Sequence, residues 1–136
     1  LSIQGIGITI ATAFVARVPS IHMFKRGRSF SSWLGLTCRE YSSGQTRRLS
    51  RITKQGDRYL RTMLIHGARA ALMAARRKAA NGKQLTRLET WAVNAQARIG
   101  HNKATVALAN KMARIMWAVW TRHETFNGDD ALRFAA

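Results

Sequence analysis

The sequence is poor in several residue types that mark common protein classes. Cysteine occurs once in 136 residues, at Cys38, so an intrachain disulfide and a thiolate-based zinc site are both excluded. We expect Cys38 to be a small buried or half-buried hydrophobic residue. Proline also occurs once, at Pro19, which leaves most of the chain free to form helices. No hydrophobic run is long enough to span a bilayer and no signal peptide is visible, so we expect a cytoplasmic protein with no membrane partner.

The scarcity of acidic residues leaves a large positive charge. The chain has 23 Lys and Arg against six Asp and Glu, for a formal net charge of +17. Charge of one sign opposes compaction by self-repulsion, so a polyanionic partner is expected. Arg outnumbers Lys by 17 to 6, and because the guanidinium grips phosphate through two parallel hydrogen bonds, this bias favours nucleic acid. Hydrophobic residues still make up 46% of the chain, which excludes a wholly disordered basic tail.

The spacing of the hydrophobic residues predicts an all-α fold. From Asp57 onward, apolar residues recur three and four positions apart, as on one face of a helix, until Asn81-Gly82 ends the pattern. A second stripe ends at Gly100, and Asn102 is placed to cap a third and central helix. The predicted helices cover about 8–18, 25–35, 57–80, 85–99 and 102–123.

Residues 36–56 lack any helical stripe and are rich in Thr, Ser and Arg, so we predict a long loop there. A loop of this length within a compact domain is usually functional. We expect one domain over residues 1–124, followed by a tail over 125–136. The chain begins with Leu1 in what looks like the middle of an element, which suggests a piece of a longer protein.

Basic residues are concentrated in this predicted loop and just after it. Eleven of them lie between Arg39 and Lys78, where Glu40 and Asp57 are the only acids. If about six of these side chains contact phosphate, nucleic-acid affinity falls about a thousandfold between low and moderate salt. We expect the phosphate ligands to be Arg39, Arg47, Arg48, Arg51, Lys54, Arg58 and Arg61.

A Gly-x-Gly turn precedes the first predicted helix. Because Gly5 and Gly7 have no side chains, the backbone there can approach a phosphate closely, and the helix N-terminus adds N–H donors. This is the manner in which helix-hairpin-helix modules hold a DNA backbone. The alternative is a plain turn between two elements, and the pattern alone does not decide between them.

The predicted basic loop also contains a pair of serines, Ser42 and Ser43, followed by Gly44. A serine hydroxyl needs activation to act as a nucleophile, and no acid–His pair lies near enough in sequence to form a hydrolase triad. The arginines around it could stabilise a phosphoryl transition state, although Ser-Ser-Gly in a loop is more often a turn. The four histidines and six acids are scattered, so no metal site is expected in this chain.

Several motifs, taken in order, resemble one family over about residues 3–122. The chain is similar to the C-terminal transposase domain of the insertion-sequence one-hundred-and-ten family, the DEDD-type transposases that are guided by a bridge RNA. The motifs are Ile3-Gln4-Gly5-Ile6-Gly7, Phe30-Ser31-Ser32-Trp33-Leu34-Gly35-Leu36, Ser42-Ser43-Gly44-Gln45-Thr46-Arg47, Lys54-Gln55-Gly56-Asp57-Arg58-Tyr59-Leu60-Arg61, Leu64-Ile65-His66-Gly67-Ala68-Arg69 and Ala107-Leu108-Ala109-Asn110-Lys111-Met112.

The resemblance implies a division of labour between two domains. It implies that a separate N-terminal domain carries four acids and binds a divalent metal such as Mg²⁺, while this domain supplies the serine that attacks DNA. The serine directly before the glycine of the family motif corresponds to Ser43, with Ser42 as its neighbour. The family further implies guide RNA as a partner, an oligomer as the working form, and a place at the bacterial or archaeal nucleoid. By this interpretation the chain alone binds nucleic acid but does not exchange strands.

Two other functions are compatible with the residues themselves. A non-enzymatic RNA- or DNA-binding module explains the charge, the arginines and the helical core equally well, and it needs no chemistry from Ser43. Binding to a membrane surface through residues 57–80 is a weaker alternative. The small Ala and Gly face of that helix suits close helix packing better than insertion.

Overall fold

The described part of the chain is mostly helical and contains one β-hairpin. A computed structural model describes residues 3–43, 46–123, 126 and 129, with the side chains of 40–43 and 46–50 outside the description. The predicted tail over 125–136 therefore lies outside the described residues except at 126 and 129. In chain order the elements are α1 Ile8–Arg17, α2 Gly27–Trp33, β1 Cys38–Ser43, β2 Thr46–Ile52, α3 Arg58–Ala80, α4 Arg87–Ile99 and α5 His101–Arg122.

The helix boundaries follow local capping chemistry. Asp57 caps α3 by accepting a hydrogen bond from the Leu60 N–H at 3.1 Å. Thr86 caps α4 in the same way through the Glu89 N–H at 3.2 Å. The predicted cap at Asn102 is wrong, because α5 begins at His101 directly after Gly100. Gly100 has a φ of +90° and lets the chain turn from one helix into the next without an intervening loop.

The central helix is α5, as its wide apolar face predicts. It packs against α2, α3 and α4 and against a short 3₁₀ turn over Ile21–Met23. Its residues Leu108, Met112 and Ile115 are fully buried. The prediction of an all-α fold is confirmed to the extent that the domain is mostly helical, with one small two-stranded sheet as the exception. Among the described residues no helix is long and apolar enough to cross a membrane.

The segment predicted as a loop is instead a hairpin, so that prediction is wrong. Strands β1 and β2 pair antiparallel, with the register running from Cys38 opposite Ile52 to Ser43 opposite Thr46. Periodicity does not predict the hairpin, because apolar and polar residues do not alternate regularly in the sequence of either strand. Cys38 is exposed at the start of β1, which corrects the expectation that it is buried.

The hairpin joins the helical body through a compact base, formed by residues 33–37 and 53–56. Thr53 N–H donates to the Thr37 carbonyl at 2.9 Å, and Lys54 N–H donates to the Gly35 carbonyl at 3.0 Å. Gly35 and Gly56 have φ values of +77° and +92°, and a Cβ on Gly56 would collide with the Trp33 carbonyl oxygen. The two chain segments therefore cross closer together than any side chain would allow.

Candidate nucleic-acid interface

The two candidate serines lie at the end of β1, where the hairpin reaches farthest from its base. In the register, Ser42 is opposite Arg47 and Ser43 is opposite Thr46, with Tyr41 opposite Arg48. The side chains at these positions are outside the description, so the register is what the structure establishes. It brings the serine pair and the Arg47-Arg48 pair, which are four to six positions apart in the sequence, side by side on neighbouring strands.

Exposed cations continue from the hairpin to the start of α3. Arg39 lies where the β1–β2 register shifts, and its Nη2 donates to the Thr53 carbonyl at 3.3 Å. Arg51, Lys54 and Arg58 are also exposed. Lys54 has a φ of +56°, an uncommon conformation for a residue with a side chain, which the hairpin base imposes. Four of the predicted phosphate ligands, Arg39, Arg51, Lys54 and Arg58, are therefore exposed between the hairpin and the start of α3.

Arg61 differs from the other predicted phosphate ligands because it points into the protein. Its residue surface is only 8% exposed. Its Nη1 donates to the Leu34 carbonyl at 3.2 Å and to the Gln55 carbonyl at 3.3 Å. The guanidinium therefore ties both sides of the hairpin base to α3, and it is not part of the exposed basic surface.

The two glycines of the N-terminal turn have different surroundings. Gly5 has a φ of +87° and packs against Gly67 of α3 so closely that neither residue has room for a Cβ. Gly7 is exposed at the N-cap of α1, has no neighbour within 4 Å of where its Cβ would be, and makes no side-chain cap. Close packing of the turn against α3 accounts for Gly5, whereas Gly7 begins an exposed helix N-terminus.

Other charged side chains are used inside the fold. Lys78 of α3 pairs with the buried Glu89 of α4 at 2.9 Å. Lys111 lies over the Trp91 ring, 4.6 Å from its centroid, and burial together with the nearby Arg114 lowers the pKa of its ammonium group. The net charge of +17 therefore overstates the cationic surface that is available to a partner.

One ion pair connects α1 to the start of α3. Arg17 Nε donates to Asp57 Oδ2 at 2.8 Å, and this hydrogen bond, with the Leu60 N–H, lowers the pKa of the Asp57 carboxyl below its usual value of 3.8. The Arg17 guanidinium also lies 5.0 Å from the centroid of the Tyr59 ring. Sequence reasoning does not find Arg17, because no local pattern joins positions 40 residues apart. The aromatic Tyr59 beside Arg58 is the signal that could have drawn attention to this corner.

Within the described part of the chain, no three His, Cys, Asp or Glu side chains come together in a group that could hold a metal ion. Asp57, which follows the hairpin base directly, is paired with Arg17.

Comparison with known proteins gives a consistent family. A family model described as the transposase IS116/IS110/IS902 family matches residues 1–84. The chain is 45% identical over 125 residues to the transposase for insertion sequence element IS1111A of Coxiella burnetii, which covers 92% of this chain and 33% of that protein. It is 40% identical over 126 residues to a probable family 20 transposase of Pseudomonas aeruginosa, covering 93% of this chain and 36% of that protein.

A third relative is more distant. The chain is 35% identical over 128 residues to the transposase for insertion sequence element IS1328 of Yersinia enterocolitica, covering 93% of this chain and 36% of that protein. The chain thus spans about a third of the length of the relatives that it matches.

Proposed function

Because the chain belongs to the IS116/IS110/IS902 family of transposases, as its motifs predict, we propose that it is the nucleic-acid-binding, serine-bearing domain of a DNA transposase. Its working place is the nucleoid, and its substrate is the DNA of an insertion sequence and its target. The rest of such an enzyme supplies what this domain lacks.

The observation that carries the proposal is the basic hairpin with a serine pair at its far end. Ser42 and Ser43 lie opposite Arg47 and Thr46, and exposed Arg39, Arg51 and Lys54 flank the hairpin base. A two-stranded ribbon is narrow enough to enter a DNA groove, and side chains along it can contact phosphates on either side. A nucleophile at the end of such a ribbon would meet the DNA backbone that the cations attract.

In this proposal Ser43 is the catalytic nucleophile. Its Oγ forms a bond to a backbone phosphorus, the bond from phosphorus to one strand oxygen breaks, and the Oγ proton ends on that oxygen as a strand hydroxyl. The reverse step, with a hydroxyl of another strand as the attacking group, rejoins DNA and restores the serine. Arg47 and Arg48 would stabilise the charge that develops on the phosphoryl oxygens.

The remaining components are proposed to lie outside this chain. A divalent metal such as Mg²⁺, held by acids of another domain, would help to activate the serine and the leaving oxygen. The exposed cations from Arg39 to Arg58, together with the helix N-terminus after Gly5 and Gly7, would hold DNA and guide RNA through their phosphates. Because serine and acids would then come from different domains, the working form is proposed to be a homo-oligomer that assembles both.

The test is a covalent adduct. The chain is joined to the remainder of its transposase and incubated with donor DNA, target DNA, guide RNA and Mg²⁺, and protein linked to labelled DNA is measured on a denaturing gel. We expect the adduct with the wild type and with Ser42→Ala, and none with Ser43→Ala. An adduct that persists in Ser43→Ala would overturn the assignment of Ser43.

A binding measurement separates this proposal from a non-enzymatic nucleic-acid-binding module. Both functions predict that the chain binds DNA, and both predict weaker binding when Arg51 is replaced by Ala. Only the transposase proposal predicts the adduct. Intact DNA binding with no adduct under the conditions above would favour the non-enzymatic module.

A further inference from the structure

An open groove lies between the end of α1 and the beginning of α3. Its volume is about 600 Å³, and it is lined by Arg17, Asp57, Arg58, Tyr59 and Thr62. This volume falls within the range of sites that hold small organic ligands. The lining combines guanidinium groups, a hydroxyl and an aromatic ring, so the groove suits a ligand that is both anionic and flat.

The Tyr59 ring is about half exposed, and the Arg17 guanidinium lies against one of its faces. Tyr59 is 47% exposed, and the Arg17 guanidinium lies 5.0 Å from the centroid of its ring. Arg17 is in turn fixed by its 2.8 Å pair with Asp57. The cation–π contact and the ion pair restrain the ring before any ligand arrives. An exposed aromatic ring beside cations is the feature on which unpaired bases stack in single-strand-binding proteins.

The charge of the groove favours a phosphate beside that ring. The Asp57 carboxylate is already engaged, by Arg17 at one oxygen and by the Leu60 N–H at the other. Among the residues that the structure describes, Arg58 has no hydrogen-bond or ion-pair partner, and its side chain is exposed. Thr62 follows it by one helical turn, so its hydroxyl lies on the same face of α3 as Arg58. The two together offer a charged donor and a neutral donor to a phosphate.

We propose that this groove binds one unpaired nucleotide of single-stranded nucleic acid, with its base stacked on Tyr59 and its phosphate held by Arg58 and Thr62. The proposal rests on the proposed function, since it assumes that the chain binds nucleic acid. Asp57 directly follows Gly56 of the hairpin base, so a strand in the groove would continue toward the basic hairpin. A base within a duplex is stacked on its neighbours and cannot cover the ring, so the site discriminates single strands from duplex.

The experiment measures binding of a fluorescent oligothymidylate and of a fluorescent blunt DNA duplex by anisotropy. The variants are Tyr59→Ala, Tyr59→Phe and, as a matched control, Met73→Ala. Met73 is an exposed apolar residue of the same helix, at 43% exposure, and lies about 21 Å from Tyr59 along the helix axis. Circular dichroism and urea unfolding verify that each variant is folded.

We expect the affinity to fall only for Tyr59→Ala and only for the single-stranded oligothymidylate. Tyr59→Ala should weaken binding of the oligothymidylate at least about fivefold and leave duplex binding within twofold, whereas Tyr59→Phe and Met73→Ala should bind both as the wild type does. If Tyr59→Ala weakened binding of both ligands equally, or weakened neither, the proposed nucleotide site would be wrong and the proposed function would still stand. A wild-type chain that binds neither ligand would overturn the proposed function and this site with it.

Discussion

Arg61 sits one turn into α3, and its guanidinium donates to the carbonyls of Leu34 and Gln55. Those carbonyls belong to the two chain segments that enter and leave the hairpin. Each is a hydrogen bond from a charged donor, and each would leave an unsatisfied, partly buried carbonyl if the donor were removed. Arg61 therefore stabilises the structure that carries the candidate serine, although it does not lie on the exposed surface.

We expect Arg61→Ala to lower the free energy of unfolding by about 2–3 kcal/mol, because one buried and one partly buried carbonyl lose a charged donor. The neighbouring Arg58→Ala should change it by less than about 0.5 kcal/mol, since Arg58 is exposed. Urea unfolding followed by circular dichroism measures both. Equal and small changes in the two variants would contradict the anchoring role of Arg61.

Asp57 predicts a pH dependence of stability. The hydrogen bond from Arg17, and after it the Leu60 N–H, lower the pKa of this carboxyl in the folded protein. The charged carboxylate thus stabilises the fold fully above the usual pKa of 3.8, and this contribution is lost as the pH falls through the folded-state pKa.

Replacing Asp57 by Asn keeps the helix cap and removes the charge. We expect the unfolding free energy of Asp57→Asn to fall less than that of the wild type between about pH 5 and pH 2. Chemical unfolding across that range is the measurement, with Arg17→Gln as a second variant that removes the partner. Parallel pH profiles for the wild type and Asp57→Asn would rule out this linkage.

At the scale of elements, the hairpin base is the feature that depends most on glycine. Gly56→Ala would place a Cβ against the Trp33 carbonyl oxygen in addition to straining a φ of +92°. Gly82 also has a positive φ, of +69°, but nothing lies within 4 Å of where its Cβ would be. Gly82→Ala therefore measures the cost of backbone strain alone, whereas Gly56→Ala adds the collision with the Trp33 carbonyl oxygen.

We expect Gly82→Ala to lower the free energy of unfolding by about 1 kcal/mol and Gly56→Ala by about 3 kcal/mol or more. Limited trypsin digestion should also cut the arginine-rich hairpin faster in Gly56→Ala, since its attachment is loosened. Urea unfolding and the digestion rate check the two parts. Similar stability in both variants would show that the close crossing at the hairpin base is not required.

The elements also show what sequence reasoning can recover. Periodicity predicts α3, α4 and α5 because each buries one face, as the placement of Leu64, Ala92 and Met112 in the core confirms. Periodicity does not predict the hairpin because the sequences of its two strands show no regular alternation of apolar and polar residues. A Gly-containing pair of residues between Ser43 and Thr46 was the available signal.

The inward direction of Arg61 could not be predicted from its neighbours. The Leu34 carbonyl that accepts its hydrogen bond is 27 positions away in the sequence. Only the tertiary structure therefore determines that the Arg61 guanidinium binds this carbonyl instead of facing solvent. The same holds for Gly5 in the N-terminal turn, whose counterpart Gly67 lies on α3. Composition alone indicates that a basic surface exists, but only the fold separates the side chains that form it from those that support it.

At the scale of the whole molecule, the net charge predicts how nucleic-acid binding responds to salt. Six of the predicted phosphate ligands remain on the hairpin and its flank once Arg61 is set aside. They are Arg39, Arg47, Arg48, Arg51, Lys54 and Arg58.

If all six contact phosphate, the affinity for duplex DNA should fall about a thousandfold between 50 and 200 mM salt, because bound counterions are released. Replacing Arg51 by Ala should reduce the slope of log affinity against log salt by about 0.9. Replacing Arg76 by Ala, an exposed arginine far along α3, serves as the control and should leave the slope unchanged. Anisotropy titrations at several salt concentrations give the slopes, and a slope near zero for the wild type would refute an electrostatic interface.

The compact crossing at the hairpin base has a consequence for how far the serines can reach. The backbone hydrogen bond between Thr37 and Thr53 already holds the two ends of the hairpin together at its base. Lengthening the strands therefore adds little to the entropic cost of closing the hairpin. Adding one residue to each strand would move the serine positions outward by about 3.4 Å. Adding two residues to each strand would also keep those positions on the same face of the ribbon, because successive side chains point to opposite faces. The length of the hairpin can therefore change without a change in the helical core, and the strand length alone sets how far the serine positions lie from that core.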